Sequence, residues 1–309
     1  MPHLKDALLL TVILLATGTG ILFPRLGAAF QPVLLYLMMG LLFLSFTSIN
    51  ISSIWSIMKD RPLLIAWVTA YKLIFLPVLV FGIFSLIWPE FALAALLLSG
   101  ISTGVVAPFI AQMVEGNVSL VLVLVIVTSL LVPFSLPVMV KVLAAKTIVI
   151  SLSAMVKMLC FVIFVPIGLV EGLRRVWPGS VRALSGRTFP LSLAIIGLIN
   201  LGVFSKYSDF FHQNPLTIAK AVAAAILLGL IYLLSGSLIV WPKSLPIHVA
   251  SCISLCNINN VLVIVFAAQF FGPREPTVAA MYMIPFFLII LPLRAMQRTH
   301  KKRKADVLP

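Results

Sequence analysis

Three places in this chain put polar chemistry inside long apolar runs. Lys72 stands in the run 63–88, about nine residues from its start. Ser99-Gly100-Ile101-Ser102-Thr103-Gly104, ending in Ala107-Pro108, interrupts the run 91–114, and Cys256-Asn257-Ile258-Asn259-Asn260 interrupts 246–271. A buried ammonium can hold a structural carbonyl, receive an anion or trade a proton. Amides and hydroxyls in an apolar surround are expensive unless they find partners, and they can hold a small ligand. Pro108 has no N–H and clashes with the preceding turn, so a helix breaks near it, with Gly100 on the other flank. Irregular backbone at membrane depth is tolerated only inside protein or beside a wet cavity.

The elements that must position these residues follow from composition. Of 309 residues, 62% are hydrophobic and 10% charged, against roughly a quarter charged in soluble domains. Too few charges remain to cover a soluble surface, so a soluble enzyme or regulator is excluded. Apolar runs fall near 7–24, 32–50, 63–88, 91–114, 118–140, 147–170, 189–205, 217–241, 246–271 and 276–293, without strand-like alternation. At about 20 residues per span they predict an all-α polytopic membrane protein with ten transmembrane helices. The first run has no small-residue cleavage motif and is expected to remain as a span. Lys72 then lies about 13 Å along its helix at roughly 1.5 Å per residue. That is near the midplane, where an uncompensated ammonium costs at least ~2.5–3.5 kcal/mol.

The net charge of +14 has a distribution that explains it. With both termini cytoplasmic, that side carries Lys5, Lys59, Arg61, Arg174, Arg175, Arg182, Arg187, Lys243, Arg294, Arg298, Lys301, Lys302, Arg303 and Lys304. The other side carries Arg25, Lys141, Lys146, Lys206 and Arg274. This positive-inside bias needs no nucleic-acid partner, and the basic tail suits anionic lipid headgroups.

The chain also echoes itself. Pro62-Leu63-x-Ile65-Ala66 returns as Pro215-Leu216-x-Ile218-Ala219, and Trp88-Pro89 as Trp241-Pro242. Phe109-Ile110-Ala111-Gln112 returns as Phe266-Ala267-Ala268-Gln269, followed by Gly116 and Gly272 respectively. The order of the matches predicts two five-helix repeats, 1–146 and 147–309. Five is odd, so the second copy is inverted, as in many secondary transporters. Under this offset Thr103 corresponds to Asn260 and Ser102 to Asn259, which places the two polar breaks at matching positions. A close-packing Gly100-x-x-x-Gly104 seam with asparagines as interhelical glue is the alternative.

Other polar residues carry less. Lys157 lies within the sixth run, Lys220 is expected to snorkel from the start of the eighth, and Glu115 and Glu171 lie at helix ends, the latter near Arg174 and Arg175. His3, His212, His248 and His300 are scattered without metal-ligand spacing, and no Walker motif or hydrolytic pair is present. Cys252 and Cys256 share a helix face and could bind a soft ion, with apolar packing favoured; Cys160 is isolated. No metal, no cofactor and no enzyme activity are expected.

At these residues the chain resembles the bile acid:sodium symporter family. Leu97-Leu98-Ser99-Gly100 through Pro108 is similar to the family's glycine-rich crossover. Ser119 to Pro137, with Leu130-Leu131-Val132-Pro133, is similar to its fifth span, and Ile258-Asn259-Asn260 to its ninth-span Ile-Gln-Asn signature. The paired asparagines are also similar to the related arsenite-efflux branch. The resemblance implies that broken fourth and ninth helices cross. It also implies a core of helices 3, 4, 5, 8, 9 and 10 moving against a panel of helices 1, 2, 6 and 7. It implies sodium ligands as well, and there the chain departs. Ala107 and Pro108 stand where the family has a Ser-Asn pair, and Val121 and Val125 where it has hydroxyls. Leu255 or Ser254 lies near the place of a missing acid, and Lys72, five residues before Pro77, stands where it has Gln.

Hard cations need several oxygen ligands. The expectation is therefore a sodium-independent secondary active transporter of a small organic anion, working by alternating access in a bacterial inner membrane. Lys72 would stand in for a bound cation or receive the anion, and protons would be coupled if its amine lost and regained one between states. The candidate substrate- and ion-binding residues are Lys72, Ser102, Thr103, Gly104, Asn257, Asn259 and Asn260, between the helix-break residues Gly100 and Pro108. A sodium-coupled symporter, an arsenite or metalloid efflux carrier and a non-transporting membrane sensor remain open as alternatives.

Overall fold

Peptide groups in an apolar surround must satisfy one another, and this chain does so with helices. The computed structural model describes residues 2–47, 58–144, 151–185 and 187–305. The main helices are α1 (Pro2–Leu22), α2 (Leu34–Thr47), α3 (Pro62–Ile87), α4 (Ala92–Gly100), α5 (Ala107–Met113) and α6 (Val118–Leu143). They continue as α7 (Leu152–Val176), α8 (Thr188–Lys206), α9 (Leu216–Leu238), α10 (Leu245–Cys256), α11 (Asn260–Phe270) and α12 (Arg274–Gln297), the last interrupted at Tyr282 and Ile289. Among the described residues, seven helical stretches are long and apolar enough to cross a membrane, and four shorter apolar helices accompany them. The chain is a polytopic α-helical membrane protein.

Local sequence sets the helix ends. Proline occupies the first turn of α3, α5 and α10, where a missing N–H costs nothing. Asn117 caps α6 by accepting from the Leu120 N–H at 2.9 Å. Glu115, at φ 54°, and Gly116, whose N–H reaches Ala111 O at 2.8 Å, close the end of α5. The run 91–114 is divided into α4 and α5, and the run 246–271 into α10 and α11. Pro62 and Pro215 open long helices, and Phe109 to Gln112 lies in α5 while Phe266 to Gln269 lies in α11.

Two sets of helices pack internally. α8 lies against α1 and α2, and α2 against α7. Separately, α4 packs on α3, α6 and α12; α10 packs on α5, α6 and α9; and α12 packs on α9 and α11. The sets meet where α6 touches α7, where α11 touches α8 and α2, and where α1 touches α12. Close approach within the second set relies on small residues, as expected where helices gain nothing by leaving lipid for each other. A Cβ on Gly236 would fall 2.6 Å from Cys252 Cα and 2.9 Å from its nitrogen.

Side-chain contacts tie particular loops together. Arg174 donates to Glu171 Oε1 at 2.8 Å and to the Phe46 and Thr47 carbonyls at 2.9 and 3.1 Å. Trp67 Nε1 donates to Ile239 O, Gln297 Nε2 to Glu115 O, and Asn117 N–H to Pro246 O. Ser208 Oγ donates to Ile21 O.

Two further lysines on the long helices lie at the surface. Lys220 does not merely snorkel: its amine lies 3.2 Å from Glu90 Oε1, and Arg274 approaches Glu90 Oε2 at 3.9 Å. That contact is solvent-exposed and contributes little stability. Lys157 is exposed on α7 and plays no part in the interior. Lys146, the 146/147 repeat boundary and the side chains of Lys5, Arg182, Arg298, Lys301, Lys302, Arg303 and Lys304 lie outside the described residues.

Gly236→Val is expected to force α9 off α10 and lower stability by about 1–3 kcal/mol, the usual range for overpacking. Thermal unfolding of the detergent-purified protein checks this, with Gly18→Ala as a control expected to change little, since nothing lies within 4 Å of that added Cβ.

Candidate functional site

Both helix breaks leave peptide groups without intrahelical partners, and each break supplies partners to the other. α4 ends at Gly100, residues 101–106 are irregular, and α5 begins at Ala107 with Pro108 in its first turn. α10 ends at Cys256, and α11 begins at Asn260. Between them the Gly104 N–H donates to Asn257 O at 2.7 Å and the Asn259 N–H to Ser102 O at 2.9 Å. Thr103 and Ile258 thereby form an antiparallel bridge, the one β-type pairing among the described residues. Gly104 is required by this approach, because a Cβ there would lie 2.7 Å from Ile258 O and 3.0 Å from Asn257 O.

Side chains brace the pairing. Thr103 Oγ1 donates to Ser254 O at 2.8 Å, and its N–H donates to Thr128 Oγ1 at 3.0 Å. Thr128 Oγ1 in turn donates to Leu124 O at 2.6 Å within α6. From α12, the Tyr282 hydroxyl donates to Cys256 O at 2.8 Å. Asn257 Nδ2 donates to Phe286 O at 3.2 Å and Asn260 Nδ2 to Ala279 O. Those carbonyl acceptors fix the amide orientations, so each asparagine turns its oxygen elsewhere.

Several buried polar atoms of these residues lack partners. Lys72 Nζ, Ser102 Oγ, Asn257 Oδ1 and Asn260 Oδ1 are buried without a hydrogen-bond partner among the described residues. Lys72 is 0% exposed. It sits in a π-helical turn, Tyr71–Phe75, that interrupts α3 and packs against α4 and α6. A π turn adds a residue to the helical circuit and re-aims the side chains around it, a feature often found at functional sites. The Lys72 amine is within electrostatic reach of Cys256, the last residue of α10. The end of that half-helix carries the negative pole of its dipole, which favours a cation.

Lys72, Ser102, Thr103, Gly104, Asn257, Asn259 and Asn260 are all buried around the two breaks or beside them. Gly100 closes α4, while Pro108 starts α5 rather than occupying the irregular segment itself. The contacts pair Ser102 with Asn259 and Thr103 with Ile258. Thr128, Tyr282 and the π turn were not foreseen. Thr128 beside Ser129, within the apolar run of α6, was the available signal for the first of these.

Cation ligands are missing at the departing positions. Ala107, Val121, Val125 and Leu255 are buried and offer no side-chain oxygen. Ser254 Oγ is spent on Ala250 O at 2.8 Å. Cys252 and Cys256 are buried, with Cys252 Sγ 3.6 Å from Leu233 O. No group of three or more metal-binding side chains occurs among the described residues.

A model of the Sodium Bile acid symporter family matches residues 32–214, more than half of the chain. The chain belongs to that family. No curated protein matches it.

Two substitutions test the bracing. Gly104→Ala should disrupt the Thr103–Ile258 bridge, and Thr103→Val should leave Ser254 O without its donor, costing about 1–3 kcal/mol. Both are read as lower melting temperatures, with Gly104→Ala the more severe because its obstruction is backbone.

Proposed function

We propose that this protein is a sodium-independent secondary active transporter of a small organic anion, working by alternating access. Membership of a transporter family sets the class. The observation that carries the finer reading is the Lys72 amine, fully buried, without a hydrogen-bond partner among the described residues, and within electrostatic reach of Cys256 at the end of α10. An ammonium there supplies the charge that a captured alkali ion would otherwise bring. With the side-chain oxygens gone from positions 107, 121, 125 and 255, a fixed cation is the economical replacement. It also offers a positive centre to an anion, and we take the unsatisfied Ser102 hydroxyl and the Asn257 and Asn260 amide oxygens at the breaks as the polar groups that would complete such a site. Shedding and regaining the amine's proton between two states would couple transport to a proton gradient.

The membrane path we infer has ten crossings, in two inverted five-helix repeats, with both termini cytoplasmic in an inner membrane. Support comes from which loops touch. On this path residues 46–47 and 174 share a side, as do 115 and 297, 117 and 246, and 67 and 239. Glu90, Lys220 and Arg274 share the opposite side, and so do Ile21 and Ser208. Each contact joins ends that an alternating path puts together. The packing of α1, α2, α7 and α8 as one set and α3 to α6 with α9 to α12 as another supports a panel and a core.

The test is a thermal-shift comparison of detergent-purified protein in sodium chloride and choline chloride, at two pH values, with a panel of organic acids. The parent should be indifferent to sodium and stabilised by some acids in a pH-dependent way. Lys72→Gln should lose the acid response and gain a sodium response, because a carboxamide reopens the cation position. Strict sodium dependence in the parent would reject the fixed-cation reading.

A further inference from the structure

The C-terminus of α11 is a second place where two elements meet through specific donors. Its last carbonyls have no intrahelical partners beyond the final turn, in which the Phe271 N–H reaches Ala267 O at 2.8 Å. Lys206, the last residue of α8, donates from Nζ to Ala268 O at 2.8 Å. Tyr207, the next residue, places its hydroxyl 3.2 Å from Ala268 O and 3.3 Å from Phe271 O. The Lys206 amine also lies 5.2 Å from the centroid of the Tyr207 ring, so the two donors are held as one unit. Below them Phe266, Phe270 and Phe271 form an aromatic cluster with centroids 5.1 to 6.4 Å apart.

The placement gives this contact its meaning. α8 belongs to the set packed around α1 and α2, whereas α11 belongs to the other set and begins, at Asn260, in the paired breaks. A cation and a phenol from one set therefore complete the negative end of a half-helix whose opposite end lies at the candidate binding site. The lysine bond is charge-assisted and the carbonyls it covers would otherwise be short of donors, so its loss is felt by the whole contact.

The geometry points to Lys206 and Tyr207 as a latch that holds the panel against the core at the 206–214 end and closes that side of the binding site. The inference rests on the panel-and-core reading above. Opening that side requires α11 to leave both donors. The latch must therefore form and break once per cycle, and weakening it shifts the population toward the state open at this end. Because the two donors act on carbonyl oxygens, the contact is indifferent to the side chains of Ala268 and Phe271 but sensitive to the donors themselves.

Electron spin distance measurements on the full chain test this without a known substrate. In a Cys160→Ala background the remaining cysteines, Cys252 and Cys256, are buried. Spin labels at Asp209→Cys and Gln269→Cys, both exposed positions, report the latch end; labels at Arg187→Cys and Lys243→Cys, also exposed, report the other. Lys206→Met with Tyr207→Phe should raise the longer-distance population at the first pair roughly tenfold, as expected for losing a charge-assisted bond. It should shorten the second pair in step. Lys206→Arg, which keeps a cationic donor, should restore the parent distribution. Two populations in the parent whose ratio ignores the double substitution would overturn the latch alone. Single, unchanging distances at both pairs in every variant would overturn the panel-and-core reading with it. Lengthening at the latch end without any change at the other would also overturn the latch as a gate.

Discussion

Everything near the centre of this protein depends on peptide groups that have left a helix inside an apolar interior. Such groups cannot turn to water, and an unpaired one costs several kcal/mol in a hydrocarbon surround. Two breaks solve the problem together. Gly104 N–H meets Asn257 O, and Asn259 N–H meets Ser102 O, so neither irregular segment could persist without the other. Thr103, Thr128, Tyr282 and the two asparagine amides then tie the pair to α6 and α12. The result is a rigid junction with several half-helix ends directed toward it. It is also why a glycine at 104 is not exchangeable with even the next smallest residue.

The same junction sets the electrostatics. Two half-helices end there and two begin there, which brings poles of both signs into a small volume of low dielectric. Lys72 is within electrostatic reach of Cys256, at the end of α10, where a positive charge is favoured. The π-helical turn in α3 redirects the side chains around it at just this point. In a family whose name carries sodium, a covalently attached cation would change what the transport cycle must capture from solution. It would leave charge compensation permanently in place and free the site to respond to protons or to the anion alone.

The contact between α8 and the end of α11 complements the junction at a distance. Both rely on supplying donors to carbonyls at half-helix ends, but the junction lies within one set of helices and the α8 contact between the two sets. Contacts within a set can be strong without opposing motion. Contacts between sets that are specific and breakable suit elements that move past one another, and two donor side chains on adjacent residues are of that kind.

Much of this was legible from residue order. Hydropathy alone placed the long helices, Pro108 with the surrounding glycines marked one break, and three asparagines in five residues marked the other. A lysine deep in an apolar run stood out without any coordinates, because an isolated charge there has to be explained. What residue order could not supply was anything that depends on which side a helix presents. Lys157 and Lys72 both stand within apolar runs of the sequence, yet one is exposed and the other wholly buried. Lys220 could have reached solvent alone, but the loop carrying Glu90 folds beside it. The register of Thr103 against Ile258, the service of Thr128 to a strand-like segment 25 residues away, and the π turn under Lys72 all arise from packing. Apolar periodicity decides that a segment is a helix; only the meeting of several helices decides which of its polar atoms find partners and which are left without one.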